Sequence, residues 1–438
     1  MTAAAPSRLA WVRQYLREHL IHILVIGALA LYPGVYYHLA AGAESTGFWV
    51  LVLPGIDTMR AVMWLAVFAM SFDFISGYTG YLSFGHSLFF GTGVFFVLGA
   101  RASAWGVFGE GTPFMLLLVL AMGLTFLMAF LLGLVAFRLT GVYFAMITLG
   151  FAEIGKLIVE GYIGDSGLQM PGEYLFGVPF VESLQLKFGN FNNGDAAIHL
   201  HDVPVFGDIL GIVGNLPLVS SVLDPQITIP TTVTAYFLLG LVAILAYFSM
   251  QRIVHSPFGR VMIAIRENEE RAKAIGYNTF WYKNVAFAFS GAFAAVGGAM
   301  LAAQQKAGGV VHFDVITMAG DALIATIIGG MGTLAGPLFG FLFDRNLGEI
   351  FGATGGSSEL VSFLEGTFPG LVETGVAFGM TVGDYLGTVM SGHAQLYIGV
   401  VFVVFVLYVP GGFLGLLRAR AGGPLAKAVP AWLSRRLR

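Results

Sequence analysis

Gly150-Phe151-Ala152-Glu153-Ile154-Gly155-Lys156-Leu157 comes within one residue of the phosphate-binding loop GxxxxGK[ST], in which backbone amides cradle phosphates and the last hydroxyl holds magnesium. Leu157 has no oxygen for the metal and the motif lies in an apolar run, so nucleotide binding is not expected here. Lys156 is expected to snorkel toward the headgroups instead. Gly330-Met331-Gly332-Thr333-Leu334-Ala335 imitates a dinucleotide fingerprint in the same way, but Pro337 and the apolar surroundings do not suit a βαβ unit. The sequence contains no HExxH zinc motif, no GxSxG elbow and no paired-carboxylate constellation, so covalent chemistry has no positive support.

Ionisable groups within apolar runs are costly and mark pathways. Four stand out: Arg60, Asp73, Glu153 and Asp321. Arg60 and Asp73 fall toward helix ends, which leaves Glu153 and Asp321 as the better pathway candidates. Tyr143, Thr148 and Ser83 offer polar handles to a solute, or equally bond their own backbone or sit at an interface. His86, with no second ligand nearby in sequence, reads as a hydrogen-bonded helix-start residue more than as a metal ligand.

These groups must be held by membrane helices. A chain of 438 residues that is 57% hydrophobic and 11% charged has too little polar surface to cover a soluble domain, and its mean hydropathy is +0.81. A net charge of −3 with no basic face excludes nucleic acid, and the absence of cysteine excludes disulfides and thiolate metal sites. Apolar spans are expected near 20–40, 56–76, 86–104, 113–137, 140–160, 231–250, 284–303, 315–330, 335–351 and 394–414, each about the 20 residues a bilayer requires. The fold class is therefore all-α, a polytopic membrane protein of about ten helices. Arg8, Arg13 and Arg17 precede Leu20–Ala40, a run longer than a signal-peptide core, so the first helix is expected to be retained.

Basic residues from Arg8 through Arg138, Arg252, Arg260 and Arg266 to Arg438 fall on one side of such a layout, which places both termini in the cytoplasm by the positive-inside rule. The expected organisation is a cytoplasmic segment 1–19, a first helix group 20–160, an external acidic insert 161–230, a helix 231–250, a cytoplasmic loop 251–283, helices 284–351, a second external insert 352–393, a last helix 394–414 and a basic tail 415–438. Two Gly-rich stretches, Ser76–His86 and Gly329–Pro337, interrupt apolar sequence. Gly77, Tyr78, Gly80, Ser83, Gly85, Gly329, Gly330 and Gly332 either line a cavity as broken helices or form short turns.

The loop 251–283 carries a helix signature of its own. Asn268 caps it, Glu269 and Glu270 occupy the first turn where the macrodipole favours anions, and Gly276 stands at the left-handed C′ position. Glu267 with Arg271 and Glu269 with Lys273 are i,i+4 pairs, and Ala272 with Ile275 forms a small apolar stripe. So short a helix is marginal alone, so a partner is expected to hold it.

SGYTGYLSFGHSLFFGTG at 76–93, FRLTGVYFAMITLGFAEI at 137–154, SPFGRVMIAIRENEERAKAIGYN at 256–278 and GGMGTLAGP at 329–337 together resemble the LivM-type permease subunits of branched-chain amino acid ABC importers. That resemblance implies a LivH-like sister permease, two cytoplasmic ATPase subunits that bind ATP and Mg, an external solute-binding protein, and a place in the inner membrane; it implies no cofactor in this chain. It also implies that the 268–276 helix docks on an ATPase groove, in the pattern Glu-Ala-Ala, three residues, Gly. Glu270, Ala272 and Gly276 match that pattern, whereas Arg271 departs from it; Glu267 and Glu269 complete the candidate coupling set. The candidate pathway set is Gly77, Tyr78, Gly80, Ser83, Gly85, Tyr143, Thr148, Glu153, Asp321, Gly329, Gly330 and Gly332. A stand-alone transporter coupled to an ion through Asp73, Glu153 or Asp321 is the competing reading, and it leaves the short helix without a purpose.

Overall fold

The computed structural model describes residues 27–36, 53–101, 108, 112–163, 231–305, 308–351, 363–364, 367–368, 381–409, 411–413 and 415–416. The expected N-terminal segment, most of both inserts and nearly all of the basic tail lie outside the described residues. Within them the chain is helical and contains no strand. After a helical stretch at 27–36 come α1 (Ile56–Thr79), α2 (His86–Arg101), α3 (Phe114–Ala136), α4 (Val142–Ile163) and α5 (Thr231–Val254). They are followed by α6 (Pro257–Glu267), α7 (Glu269–Ala274) and α8 (Thr279–Gln305). A 3-10 turn at Val310–Phe313 and a π-helical turn at Val315–Ala319 lead into α9 (Gly320–Gly329), then α10 (Gly336–Phe351) and α11 (Val382–Tyr408).

Five described helices are long and apolar enough to cross a membrane: α1, α3, Val142–Glu160 of α4, Ala235–Val254 of α5, and α8. Their burial divides them into layers. In α1 and α8, 89% of the apolar stretch is buried, against 28% in α3 and 22% in α4, so α1 and α8 form the centre and the others wrap them. A helix that is apolar all round belongs in such a centre.

α8 packs along α1, α2 and α3 because its residues are small where it meets them. Ser290, Gly291, Ala292, Ala294, Ala295, Gly297, Gly298 and Ala299 are all buried in this helix. A Cβ on Gly298 would strike the Phe90 carbonyl, and one on Gly93 would strike that of Ala295, so α2 and α8 touch backbone to backbone.

The two ends of the bundle are distinct. At one, Glu349 near the end of α10 accepts from the Thr58 hydroxyl and, at 3.3 Å, from the Gly55 N–H. It thereby supplies the anionic cap that α1 lacks locally, since Gly55 has no side chain to donate to that role. Gln304 near the end of α8 accepts from Trp64 Nε1 at 2.9 Å on the same side, and Arg60 pairs with Asp57 there. The opposite end holds the last turn of α1, the start of α8, the start of α10 and the whole of 255–278.

Several boundaries differ from expectation for a local reason. α5 continues to Val254 and α8 begins at Thr279, so the inter-helix segment is shorter than 251–283. Lys283 stays helical and buried because a carboxylate reaches it from α7. α11 starts at Val382, well before the expected 394, with a break in helical geometry at His393 (φ −128°, ψ 18°).

Gly298→Ala is expected to destabilise the protein by about 1–3 kcal/mol, read as a lower melting temperature in detergent, because the Phe90 backbone cannot yield. Gly123→Ala on α3, with nothing within 4 Å of its added Cβ, should leave that temperature unchanged or slightly raised.

Candidate functional site

The segment between α5 and α8 is two helices hinged on one residue. Ser256 caps α6 by accepting from the Gly259 N–H at 3.4 Å, with Pro257 in the first turn where its missing N–H is harmless. Asn268, in extended conformation, ends α6 and caps α7 by accepting from the Arg271 N–H at 2.9 Å. Gly276 takes φ +95°, and the Tyr277 N–H returns to the Ala272 carbonyl at 3.2 Å, closing α7 as the sequence indicates.

The expected side-chain pairs are only half made. Lys273 lies 3.4 Å from Glu269 and 2.9 Å from Glu270. Among the described residues no ion pair joins Glu267 to Arg271, because Asn268 breaks the helix between them. The apolar stripe also splits: Ala272 is buried against Val261, Ile265 and Tyr282, whereas Ile275 is 68% exposed. α6 itself was not anticipated, although Ser256-Pro257 followed by Val261, Met262 and Ile265 is an amphipathic helix start.

Glu269 is the anchor. One carboxylate oxygen takes the Lys283 ammonium at 2.7 Å and the Thr279 hydroxyl at 3.0 Å; the other takes the Tyr81 hydroxyl at 2.6 Å. Lys283 Nζ also donates to the Tyr81 hydroxyl at 2.9 Å and lies 4.6 Å and 5.5 Å from the ring centres of Tyr81 and Phe137. Burial alone would raise the Glu269 pKa, but the Lys283 ammonium and the Tyr81 and Thr279 hydroxyls outweigh it and hold the group at about 2. One side chain thus ties α7 to α8 and to the first Gly-rich turn.

The two Gly-rich stretches meet at this end of the bundle. Gly80 (φ +80°) terminates α1, and Gly330 (φ +111°) terminates α9. Asp73 Oδ1 accepts from the Gly332 N–H at 2.8 Å, the Tyr78 hydroxyl accepts from the Leu334 N–H at 3.2 Å, and Arg266 donates to the Gly77 carbonyl. A Cβ on Gly77 would collide with Asp73 and lie 2.7 Å from the Gly332 nitrogen, so this approach requires glycine. Ser83 accepts from the Gly85 N–H at 3.3 Å, and the Thr148 hydroxyl accepts from the Phe84 N–H at 3.2 Å.

Gly77, Tyr78, Gly80, Ser83, Gly85, Thr148, Gly329, Gly330 and Gly332 therefore belong to turns, helix ends and the bonds that fix them, beside the 255–278 segment. Tyr143 and Glu153 do not join them. Tyr143 is 70% exposed on α4 and Glu153 is half-buried on the same helix. Asp321 lies in the first turn of α9 and pairs with Arg345 at 3.3 Å. Lys156 bonds Asp314, which caps the π-helical turn by accepting from the Thr317 N–H at 3.0 Å; it is a cross-link within the bundle, not a snorkelling side chain. His86 opens α2 fully buried, its Nε2 2.5 Å from the Ser290 hydroxyl. Asp73, Arg266, Tyr81 and Lys283 were not in the expected site. The bonds of Asp73 to Gly332, Arg266 to Gly77, and Tyr81 to Glu269 and Lys283 each span more than 180 residues of sequence, which no local pattern reveals.

The family described as "Branched-chain amino acid transport system / permease component" matches residues 56–368. The chain is 28% identical over 285 residues to the high-affinity branched-chain amino acid transport system permease proteins LivM of Salmonella typhimurium and Escherichia coli. That match covers 64% of this chain and 59% of each relative's length. It is 29% identical over 156 residues, 34% of its length and 45% of the relative's, to a nucleoside ABC transporter permease protein, NupC, of Lactococcus lactis. No solved structure matches it.

A Glu269 carboxyl held at about 2, below its ordinary 4.5, contributes stability that is complete above about pH 4.5 and is lost as pH falls toward 2. The melting temperature of the wild-type protein in detergent should exceed that of Glu269→Gln by a constant margin from pH 7 to about 5, and the margin should shrink below that. A margin that is flat down to pH 3 counts against this ion pair.

Proposed function

The chain belongs to the family of branched-chain amino acid transport system permease components, and on that premise we propose that it is the transmembrane subunit of an ATP-driven importer. Both termini and the 255–278 segment face the cytoplasm, about ten helices cross the inner membrane, and a LivH-like sister permease completes the translocation unit. Two ATPase subunits, which carry ATP and Mg, dock on the cytoplasmic side. An external binding protein delivers the solute.

The observation that carries this reading is the form of α7. Its inner side is fixed to the membrane body by Glu269, while Glu270, Arg271, Ile275, Tyr277 and Trp281 are exposed at the same end of the bundle. A six-residue helix that is anchored from beneath and presents charge with an apolar knob suits a groove on a partner. ATP binding draws the two ATPases together, and the anchored helices carry that movement into the permease pair. In this role Asn268 and Glu269 set the helix, Glu267, Glu270, Arg271 and Ile275 meet the ATPase, and Ala272 and Gly276 fix its packing and end.

Branched-chain amino acids or a related small solute are the proposed cargo. Tyr143, which is exposed, and Glu153, which is half-buried, supply polar groups on α4, and a carboxylate facing lipid is costly, so that side of α4 is assigned to the pathway shared with the sister permease. Gly77, Tyr78, Gly80, Ser83, Gly85, Thr148, Gly329, Gly330 and Gly332 shape the cytoplasmic end of that pathway, and Asp321 supports it through Arg345. Asp321 and Asp73 both have partners within the bundle, which favours the importer over an ion-coupled carrier. The parts of the two inserts outside α4 and α11, 164–230 and 352–381, are assigned to docking the binding protein.

Gly276→Pro cannot keep φ +95°, because proline holds φ near −65°, and Glu270→Lys reverses a charge on the exposed face. Both variants are expected to lower uptake per ATP hydrolysed several-fold in proteoliposomes containing the assembled complex. Wild-type ratios in both would remove α7 from the coupling role. Deleting 175–225 should weaken binding-protein docking while ATP hydrolysis persists.

A further inference from the structure

Arg266, near the end of α6, touches both Gly-rich turns. Its stem lies against Gly80, with its Cγ 3.4 Å from where a Cβ would stand, and its guanidinium donates to the Gly77 carbonyl. The same guanidinium covers Gly332, at 2.7 Å from a Cβ built there. Asp73, with no exposed surface, meets it from the other side. One Asp73 oxygen holds the Gly332 N–H, the other has no hydrogen-bond partner among the described residues, and Arg266 supplies attractive charge. Gly332 is thus held between a carboxylate from α1 and a cation from α6.

We infer that Arg266 and Asp73 form the link that passes movement of the α6–α7 segment to the turn between α9 and α10; this rests on the ATP-driven importer reading above. The geometry separates two tasks. Glu269 binds α7 to α8 and to Tyr81, so α7 cannot shift without the first Gly-rich turn. That bond does not reach α9 or α10. Arg266 extends the connection to Gly332, and Asp73 secures Gly332 from within α1. Asp73 bonds the Gly332 N–H, Arg266 bonds the Gly77 carbonyl and covers Gly332, so both side chains bear on the one place where the two turns meet. Both residues are positioning groups, acting on the second Gly-rich turn through Gly77 and Gly332.

The chain has no cysteine, so single labels can be placed at will. Asn278→Cys reports on the end of the α6–α7 segment, and Met331→Cys, 44% exposed in the wild-type residue, reports on the second turn. Spin-label spectra of the complex assembled with its ATPases are compared before and after trapping with ATP, Mg and vanadate. Both labels should respond in the otherwise wild-type chain. Arg266→Ala should preserve the Asn278 response and reduce the Met331 response at least about five-fold, the lower bound of ordinary site-to-site coupling. Arg266→Lys, which keeps a donor and a charge, should restore much of it. Adding Asp73→Asn to Arg266→Ala should cause no further loss. A full Met331 response in Arg266→Ala, or a Met331 label silent in wild type while Asn278 responds, overturns the link alone. Silence of both labels removes the importer reading and the link with it. If Asp73→Asn does not reach the membrane, the Arg266→Ala and Arg266→Lys pair decides, because that side chain enters from an exposed helix.

Discussion

Lys283 places an ammonium group, with 3% of its side chain exposed, at the foot of the central helix α8. Removing one partner of such a pair leaves an uncompensated buried charge and costs about 3–5 kcal/mol. Its carboxylate comes from Glu269 on α7, and the surrounding groups, the Tyr81 hydroxyl and the Tyr81 and Phe137 rings, complete its solvation. The arrangement therefore requires that α7, the first Gly-rich turn and α8 keep one geometry. A six-residue helix too short to persist in water exists here because the membrane body needs its carboxylate.

The second requirement is close backbone approach. Gly77 and Gly332 let the end of α1 meet the turn between α9 and α10 at a distance that no Cβ permits, and Gly298 and Gly93 do the same for α2 and α8. The glycines that interrupt apolar sequence thus serve two purposes. Some reverse the chain through positive φ, as Gly80 and Gly330 do, and others remove side chains where polar groups of different helices must bond. One oxygen of the buried Asp73 then accepts from a backbone N–H that the second turn leaves free of a helical partner. The chain belongs to a family of permease components, and under the function proposed for it α7 is the surface that an energy-supplying partner engages.

Much of this was legible in the residues. The ends of α7 followed from Asn268 and Gly276, whose roles are local and stereochemical. The helices of the body followed from apolar runs, which depend on composition over about 20 residues. Lys283 was read as a loop residue because its charge is neutralised by a contact that sequence does not display. Asp73 lies toward the end of α1 as its spacing from Gly77 indicates, but its full burial does not show in the sequence, because its partner is a backbone N–H 259 residues away. α6 is hard to read from sequence because Arg260, Arg266 and Glu267 dilute the short apolar stripe of Val261, Met262 and Ile265 that it buries. The partner of Lys156 does not show in the sequence, since Asp314 lies 158 residues on, beyond α5, α6, α7 and α8.

The central claim is that a buried ion pair holds the exposed α7 to the membrane body. It is tested most directly by the detergent melting temperatures at pH 7 of Glu269→Gln, Lys283→Met and the double variant. Because Lys283→Met removes the charge that Glu269→Gln strands, the double variant should recover most of the stability lost in Glu269→Gln. Losses that simply add would contradict the claim, for they would show that the two side chains act independently.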